Sequence, residues 1–374
     1  MIDDRDDFFM VRVLELAQQG RGLASPNPMI GAVLVKEGRV IGEGFHRYAE
    51  KTHAEVCAIE AAGKEAKGST LYINLEPCSH YGRTTPCAQR VIEAGVVRVV
   101  AAMQDPNPQV CGEGFRRIRE AGIDLNVGVG KEEAHCLNEA YSKYIQTRKP
   151  WVTMKTAMTL DGKIAQSDGH SQWISGELSR QRAQQLRFDC DAILTGIGTI
   201  LTDDPVLTDR TGKTRRRPLL RCVMDSQLRL PHLSRLVQSR EEGGIIVFCI
   251  PEHDAARQSL LENQGVEVVV VPNAGEGVSF KSVLQELGQR EITSLLIEAG
   301  PAINYSAFQQ RVVDKLCCFI APKILGGKSP LPFVGEPGFR NLNETVPLSF
   351  SSIERVGPDL LVQAYVESSG LAGE

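Results

Sequence analysis

The chain has 374 residues, 42% hydrophobic and 24% charged, with a formal net charge of −4. A single core stops growing near ~250–300 residues, so two domains are expected, with apolar material for both. The negative charge and the 6% aromatic content speak against a nucleic-acid partner, which calls for a basic field and stacking rings.

A helix is predicted over 4–20, carrying Phe8, Phe9, Val11, Leu14, Leu16 and Ala17 and ending at Gly20. A hairpin follows, with strands at 30–35 and 39–45 joined by a turn at Glu37-Gly38. Helices are expected at 54–62 (closed by Gly63), 87–94 and 113–121, and strands at 71–75, 98–103 and 123–129. This order predicts an α/β fold, a mixed sheet covered by helices on both faces. A charged helix is expected over 132–146, and Lys149-Pro150 marks a domain boundary, giving domains 1–149 and 150–374. The second domain is again α/β. Its strands are expected at 151–158, 191–195, 219–224, 245–250, 266–271, 293–298, 314–321 and 360–366, and its helices at 176–187, 254–264, 279–289 and 302–311.

No stretch approaches the ~20 apolar residues that cross a bilayer, and the acidic start MIDDRDDFF is unlike a secretory leader. Several of the ten cysteines (Cys222, Cys249, Cys317, Cys318) lie in apolar runs and read as free thiols of a reducing compartment. A cytoplasmic protein without a membrane partner is expected.

Three fragments of the first domain carry chemistry: His53-Ala54-Glu55, Pro77-Cys78 and Pro86-Cys87. One histidine and two cysteines supply the three nitrogen and sulfur donors of a catalytic zinc site, with the fourth position left for water. Zinc lowers the pKa of such a water from ~15.7 to about 7. Hydrolysis of an amidine then needs a carboxylate to move protons, and Glu55, two residues past the histidine at a helix start, fits that task. The arrangement is that of zinc deaminases, H-x-E…P-C-x-x-C, except that eight residues (79–86) separate the cysteines. They are expected to form a loop beside the pocket. His46 reads either as a turn histidine or as a pocket residue.

The second domain says less on its own residues. Gly196-Ile197-Gly198 lacks the third glycine of a dinucleotide fingerprint, and Thr211-Gly212-Lys213-Thr214 lacks the first glycine of a P-loop, since Leu207 stands there. Arg215-Arg216-Arg217 reads as a solvated loop or a phosphate contact.

Ser25-Pro26-Asn27-Pro28-Met29-Ile30-Gly31-Ala32-Val33, the segment 75–87 (LEPCSHYGRTTPC) and Asp105-Pro106-Asn107-Pro108 resemble motifs of the bifunctional riboflavin-biosynthesis deaminase/reductase family. The long cysteine spacing is a mark of that family. Glu50 and Thr52 stand where the family has glycine and proline. The resemblance runs on through 155–165 (KTAMTLDGKIA), Ser171-Gln172-Trp173-Ile174, Gly198-Thr199, 203–207 (DDPVL), Asp225-Ser226 and Glu298-Ala299-Gly300-Pro301.

It implies a cytidine-deaminase-like domain followed by a dihydrofolate-reductase-like domain that takes up NADPH without a Rossmann motif. The first would remove the 2-amino group of a diaminopyrimidinone carrying a ribosylamino 5-phosphate. The second would reduce the ribosyl chain to ribityl. By the same resemblance Ala157, Trp173, Thr199, Asp203, Ser226 and Gly300 would bind the cofactor, and Ser171, Arg187, Leu207, Arg210 and Glu298 the substrate. Arg187 and Arg210 suit a phosphate clamp, because guanidinium offers paired donors, and Lys155, Glu298 or solvent could supply a proton. A homo-oligomer is possible. The rival reading is a nucleobase or nucleic-acid deaminase with an accessory binding domain.

Overall fold

The computed structural model describes residues 4–50, 52–79, 85–167, 169, 173–273, 275 and 277–367. The chain forms two compact units, Met1–Arg148 with Thr214–Arg216, and Lys149–Lys213 with Arg217–Glu374. Among the described residues no helix is long and apolar enough to cross a membrane.

The first unit runs α1 (Asp4–Gln18), β1 (Gly31–Lys36), β2 (Arg39–Phe45), α2 (Ala54–Ala62), β3 (Thr70–Ile73), α3 (Cys87–Glu93), β4 (Arg98–Ala101), α4 (Glu113–Glu120), β5 (Asp124–Val127), α5 (Lys131–Leu137) and α6 (Glu139–Thr147). Its sheet has the order β2-β1-β3-β4-β5. β1 is antiparallel to β2 and β3, while β3, β4 and β5 are parallel. Glu37 and Gly38 both hold positive φ, 52° and 75°, in the two-residue turn whose twist matches that of the strands.

Three glycines set how closely helices approach this sheet. A Cβ on Gly31 would lie 2.1 Å from the Val13 carbonyl of α1. A Cβ on Gly42 would lie 2.2 Å from Ala58 O, and one on Gly44 2.4 Å from Ala54 O, both in α2. Gly44 pairs with Ala32, the neighbour of Gly31, and successive strand residues point to opposite faces. α1 and α2 therefore cover opposite faces, each seated directly on backbone. Val33, Leu34, Leu71, Ile73, Val99 and Val100 are wholly buried between them.

The single helix expected over 132–146 is two, broken at Asn138 (φ −111°, ψ 19°). The Asn138 side chain is buried, accepts the Met29 N–H at 2.8 Å and donates to Met29 O at 3.0 Å. Satisfying a buried loop's backbone outweighs helix continuity there, a trade open to asparagine because its amide can replace backbone partners.

The second unit runs β6 (Trp151–Thr159), β7 (Lys163–Ala165), α7 (Glu177–Asp189), β8 (Ala192–Gly196), α8 (Ile197–Asp203), β9 (Leu220–Met224), α9 (Arg235–Gln238), β10 (Ile245–Cys249), α10 (Ala255–Asn263), β11 (Glu267–Val270), α11 (Phe280–Gln289), β12 (Ser294–Ile297), α12 (Pro301–Gln309), β13 (Lys315–Ala321), β14 (Leu331–Pro332), β15 (Leu348–Val356) and β16 (Asp359–Val366). Nine strands form one sheet, β11-β10-β9-β8-β12-β6-β13-β16-β15, parallel from β11 to β13 and closed by an antiparallel hairpin. Alternate residues feed two cores. Leu194, Cys222 and Phe248 belong to one, and their neighbours Ile193, Val223 and Val247 to the other. Both faces are covered, so these strands read as unbroken apolar runs.

β15 was not expected. A bulge between Phe350 and Ser352 interrupts its alternation, and Leu348, Phe350 and Ile353 lie exposed. The basic run is not a solvated loop. Arg216 donates its N–H to Gly22 O at 2.7 Å and sets its guanidinium 4.3 Å from the centre of the Tyr48 ring. Arg217 reaches Glu291 O at 2.5 Å and Asp191 at 3.5 Å.

Candidate active sites

His53 is the N-cap of α2, in extended backbone and with no side-chain capping bond, so its ring is left for other work. Cys87 opens α3, and Cys78 lies in the segment that follows β3. One ligand atom from each of the three residues lies within 4.8 Å of the others. His53 Nδ1 is 3.0 Å from Cys87 Sγ and 3.6 Å from Cys78 Sγ. One imidazole and two thiols, closed to this distance, make a zinc donor set.

Glu55, in the first turn of α2, is 1% exposed, and its Oε2 has no hydrogen-bond partner among the described residues. An unsatisfied buried oxygen costs about 1–3 kcal/mol, a cost a ligand or its water would relieve. The chemistry of the donors and this orphaned oxygen both fit a metal with a reacting water. Burial pushes the Glu55 carboxyl up to about 7, against the pull of His53. The hydrogen bond from Cys87 brings the Cys78 thiol down to about 4 and drives Cys87 up. The hydrogen bond to Cys78 raises His53 to about 9.

His46 is not a surface histidine. It is buried, stands edge-on to His53 with ring centres 5.3 Å apart, and bonds Asn27 Nδ2 at 3.0 Å and Thr52 O at 3.1 Å. Asn27 belongs to the segment 25–31, pinned by Asn138 and by Asn74, whose side chain accepts the Gly31 N–H at 2.9 Å and donates to Met29 O at 2.9 Å. Buried Asp105 accepts the Tyr141 hydroxyl at 3.1 Å. Of the loop expected over 79–86, residues 80–84 lie outside the described residues.

In the second unit Glu298 follows β12 and is 12% exposed at its side chain. Arg187, in the last turn of α7, holds it at two points, Nε to Oε1 at 2.8 Å and Nη2 to Oε2 at 2.9 Å, and donates from Nη1 to Thr208 O at 3.0 Å. Lys155 of β6 adds Nζ at 3.5 Å from Oε2. Burial alone would raise the Glu298 carboxyl, but Arg187 and Lys155 bring it down to about 2. The expected phosphate clamp of Arg187 with Arg210 is therefore not what the structure forms. The Arg187 guanidinium is committed to Glu298, while Arg210 is exposed, with its backbone N–H on Gln184 Oε1 at 3.1 Å.

Leu207 also departs from expectation. The whole residue is 3% exposed and packs with Ile193, Ile197 and Ile200, with φ at 61°, so little of it is open to solvent. That strained turn is held by Arg221, wholly buried, whose Nη1 donates to Val206 O at 3.3 Å and to Ser239 Oγ at 2.8 Å.

Thr199, Ser226 and Gly300 follow the C-terminal ends of β8, β9 and β12, the edge where parallel α/β sheets take ligands. Gly300 caps α12 without a side-chain bond, and a Cβ there would meet nothing within 4 Å. Pro301 at the first position of α12 carries no N–H, so it is the positive end of the helix dipole that suits an anion there. Trp173 is 63% exposed, with Arg180 over its ring at 4.6 Å. Ala157 is half-buried in β6, and Asp203 is exposed at the end of α8. Ser171 lies outside the described residues. Sequence reasoning passed over Glu76 and Arg221. Glutamate before Pro-Cys was a visible signal for the first, and an arginine inside an apolar strand run for the second.

Comparison with known proteins agrees with this division. Residues 3–103 match the family model "Cytidine and deoxycytidylate deaminase zinc-binding region", and residues 150–362 match "RibD C-terminal domain". The chain is 41% identical to the riboflavin biosynthesis protein RibD of Aquifex aeolicus (strain VF5), over 97% of this chain and 99% of that one. RibD of Acinetobacter baumannii superposes with a TM-score of 0.84 at 32% identity, covering 97% and 99% of the two chains. The diaminohydroxyphosphoribosylaminopyrimidine deaminase/5-amino-6-(5-phosphoribosylamino)uracil reductase of Thermotoga maritima does so with a TM-score of 0.84 at 34% identity and the same coverages.

Fold and sites thus define a zinc-dependent deaminase of the cytidine-deaminase type joined to an NADPH-dependent reductase of the dihydrofolate-reductase type. The chain belongs to the RibD family. It is a bifunctional enzyme of riboflavin biosynthesis that acts on a small pyrimidine.

Proposed function

We propose that residues 1–149 deaminate 2,5-diamino-6-(5-phosphoribosylamino)pyrimidin-4-one and that residues 150–374 then reduce the ribosyl side chain of the product to ribityl. The observation that carries the first step is the orphaned Glu55 Oε2 beside three converging ligand atoms. His53, Cys78 and Cys87 hold the zinc. When bound, it supplies the Lewis acidity that makes water nucleophilic near neutral pH. Glu55, buried beside the three donors, would carry two protons in turn, the first from the attacking water to the ring nitrogen and the second from the resulting hydroxyl to the departing ammonia. His46 and Asn27, linked at 3.0 Å, line the substrate side of His53.

In the second unit NADPH supplies a hydride. Gly300, Thr199, Asp203, Ser226, Trp173 and Ala157 hold it along the C-terminal edge of the sheet. Ser171, Arg187, Leu207, Arg210 and Glu298 receive the substrate. Lys155, 3.5 Å from Glu298, is the proton donor. Ammonia release and NADPH oxidation, followed on the two successive substrates with the full-length protein, test the reading. Absence of either reaction refutes that half.

We place the enzyme in a reducing cytoplasm, in keeping with ten cysteines of which none is paired in a disulfide. We also propose self-association through β15. An edge strand is self-complementary across a two-fold axis, and Phe350 (69%) and Ile353 (63%) lie open on it. Sedimentation of Phe350→Glu beside the unaltered chain tests this.

A further inference from the structure

The segment that carries Cys78 hangs on a side chain outside the trio of converging ligand residues. Glu76 is 2% exposed. Its Oε1 accepts the N–H groups of Gly114 (2.8 Å) and Phe115 (3.2 Å), and its Oε2 those of Gly112 (3.0 Å) and Asp105 (3.1 Å). An ionised carboxylate has about four lone-pair positions, and all four are used. Three of the donors lie at the start of α4, where a negative charge also meets the favourable end of the helix dipole.

This is more than a cap drawn from a distant place. Pro77, with φ fixed by its ring, is all that separates Glu76 from Cys78. The Pro77 carbonyl sits so close to α4 that a Cβ on Gly114 would lie 2.0 Å from it. On its other side, Cys78 accepts the Ala88 N–H on its carbonyl at 3.1 Å and the Cys87 N–H on its sulfur at 3.3 Å. The stretch 76–78 is therefore clamped between the N-termini of α4 and α3, and α3 begins with the other thiol ligand. The separation of the two sulfurs follows from how α4 docks on Glu76.

We infer that Glu76 is a positioning residue of the metal centre, fixing Cys78 relative to Cys87 through its bonds to 105–115. Residues that orient ligands typically contribute about 10–100-fold in metal affinity. This inference rests on the reading that His53, Cys78 and Cys87 hold zinc, and the two fail separately. An unaltered protein without stoichiometric zinc would sink that reading, whereas unaltered zinc binding in the variants sinks only this one.

The test uses full-length Glu76→Gln, which turns one acceptor oxygen into a donor facing two N–H groups. Glu76→Asp keeps the charge but shortens the reach. Gly114→Ala pushes mainly on Pro77 O, 2.0 Å from the added Cβ, and less closely on Glu76 Oε1 at 3.1 Å, while leaving the charge and length of the carboxylate unchanged. Ile118→Val, buried on α4, serves as a control for lost stability alone. Zinc release to a chromophoric chelator and the absorption bands of the cobalt(II)-substituted protein are measured for each, with NADPH oxidation as a check on the second unit. The expected result is zinc affinity down about 10–100-fold and altered cobalt bands in Glu76→Gln and Gly114→Ala, a smaller change in Glu76→Asp, and none in Ile118→Val. If Glu76→Gln does not fold, Glu76→Asp and Gly114→Ala carry the test. Wild-type affinity and bands in the folded variants, or an equal loss in Ile118→Val, overturn the assignment.

Discussion

Arg187 grips Glu298 with two parallel hydrogen bonds of 2.8 and 2.9 Å while both side chains are almost out of solvent. Removing one partner leaves the other charge buried and alone, which costs about 3–5 kcal/mol, whereas replacing both with apolar groups is near neutral. Glu298→Gln should destabilise the second unit by that amount, and Arg187→Met with Glu298→Gln should recover most of it. Both tryptophans, Trp151 and Trp173, lie in this unit, so urea unfolding followed by their fluorescence reads it directly. Additive losses in the double variant would show that the pair is not coupled.

Glu55→Gln should keep one zinc per chain and lose ammonia release by about 10²–10⁴-fold, the usual share of a positioned acid–base group. NADPH oxidation with the deaminated intermediate should stay at the unaltered rate. Deamination near the original rate in a zinc-loaded variant removes Glu55 from the mechanism.

The Glu55 carboxyl is raised from 4.5 to about 7 by burial. Between those values the folded, zinc-free chain binds a proton that the unfolded chain does not, so its stability falls as pH climbs through that window and levels off above it. At about 1.4 kcal/mol per pKa unit the loss is up to about 3 kcal/mol. Zinc-free Glu55→Gln should match the unaltered protein near pH ~4 and exceed it near pH ~8. Denaturant titrations across that range check the sign, and parallel curves would refute it.

Chelation of the metal should abolish deamination and leave reduction intact, because no residue assigned to the second site ligates zinc. Arg210→Ala should do the reverse, weakening the reductase substrate by about 10-fold or more if one charge-assisted bond of 1.5–3 kcal/mol is lost. Coupled assays on each substrate separate the two outcomes. Loss of both activities in either experiment would mean that the sites are not independent.

The donor trio was legible because zinc chemistry restricts residue type and because His53 and Cys87 each open a helix that the apolar pattern already announced. The parallel strands were legible because both their faces are covered. Asn138, by contrast, looked like an ordinary position in a charged helix. Its break depends on Met29, far away in the chain, and no local pattern carries that. The commitment of Arg187 to Glu298 was equally hidden. Each residue suggested a ligand contact, and only folding brings them within 2.8 Å of one another. The burial of Leu207 was hidden too, because a motif position does not say how deeply a residue is packed. β15 escaped because its bulge shifts the apolar period by one residue.

Gly42 and Gly44 touch no ligand, yet they set the height of the helix on which His53 and Glu55 ride. Alanine at either position would force α2 off its seat, since the contacts in the way are the helix's own carbonyls at 2.2 and 2.4 Å. Mutational libraries of this deaminase should therefore show a second, remote zone of intolerance on β2, where inactive variants keep every ligand and lose the register between acid–base group and metal.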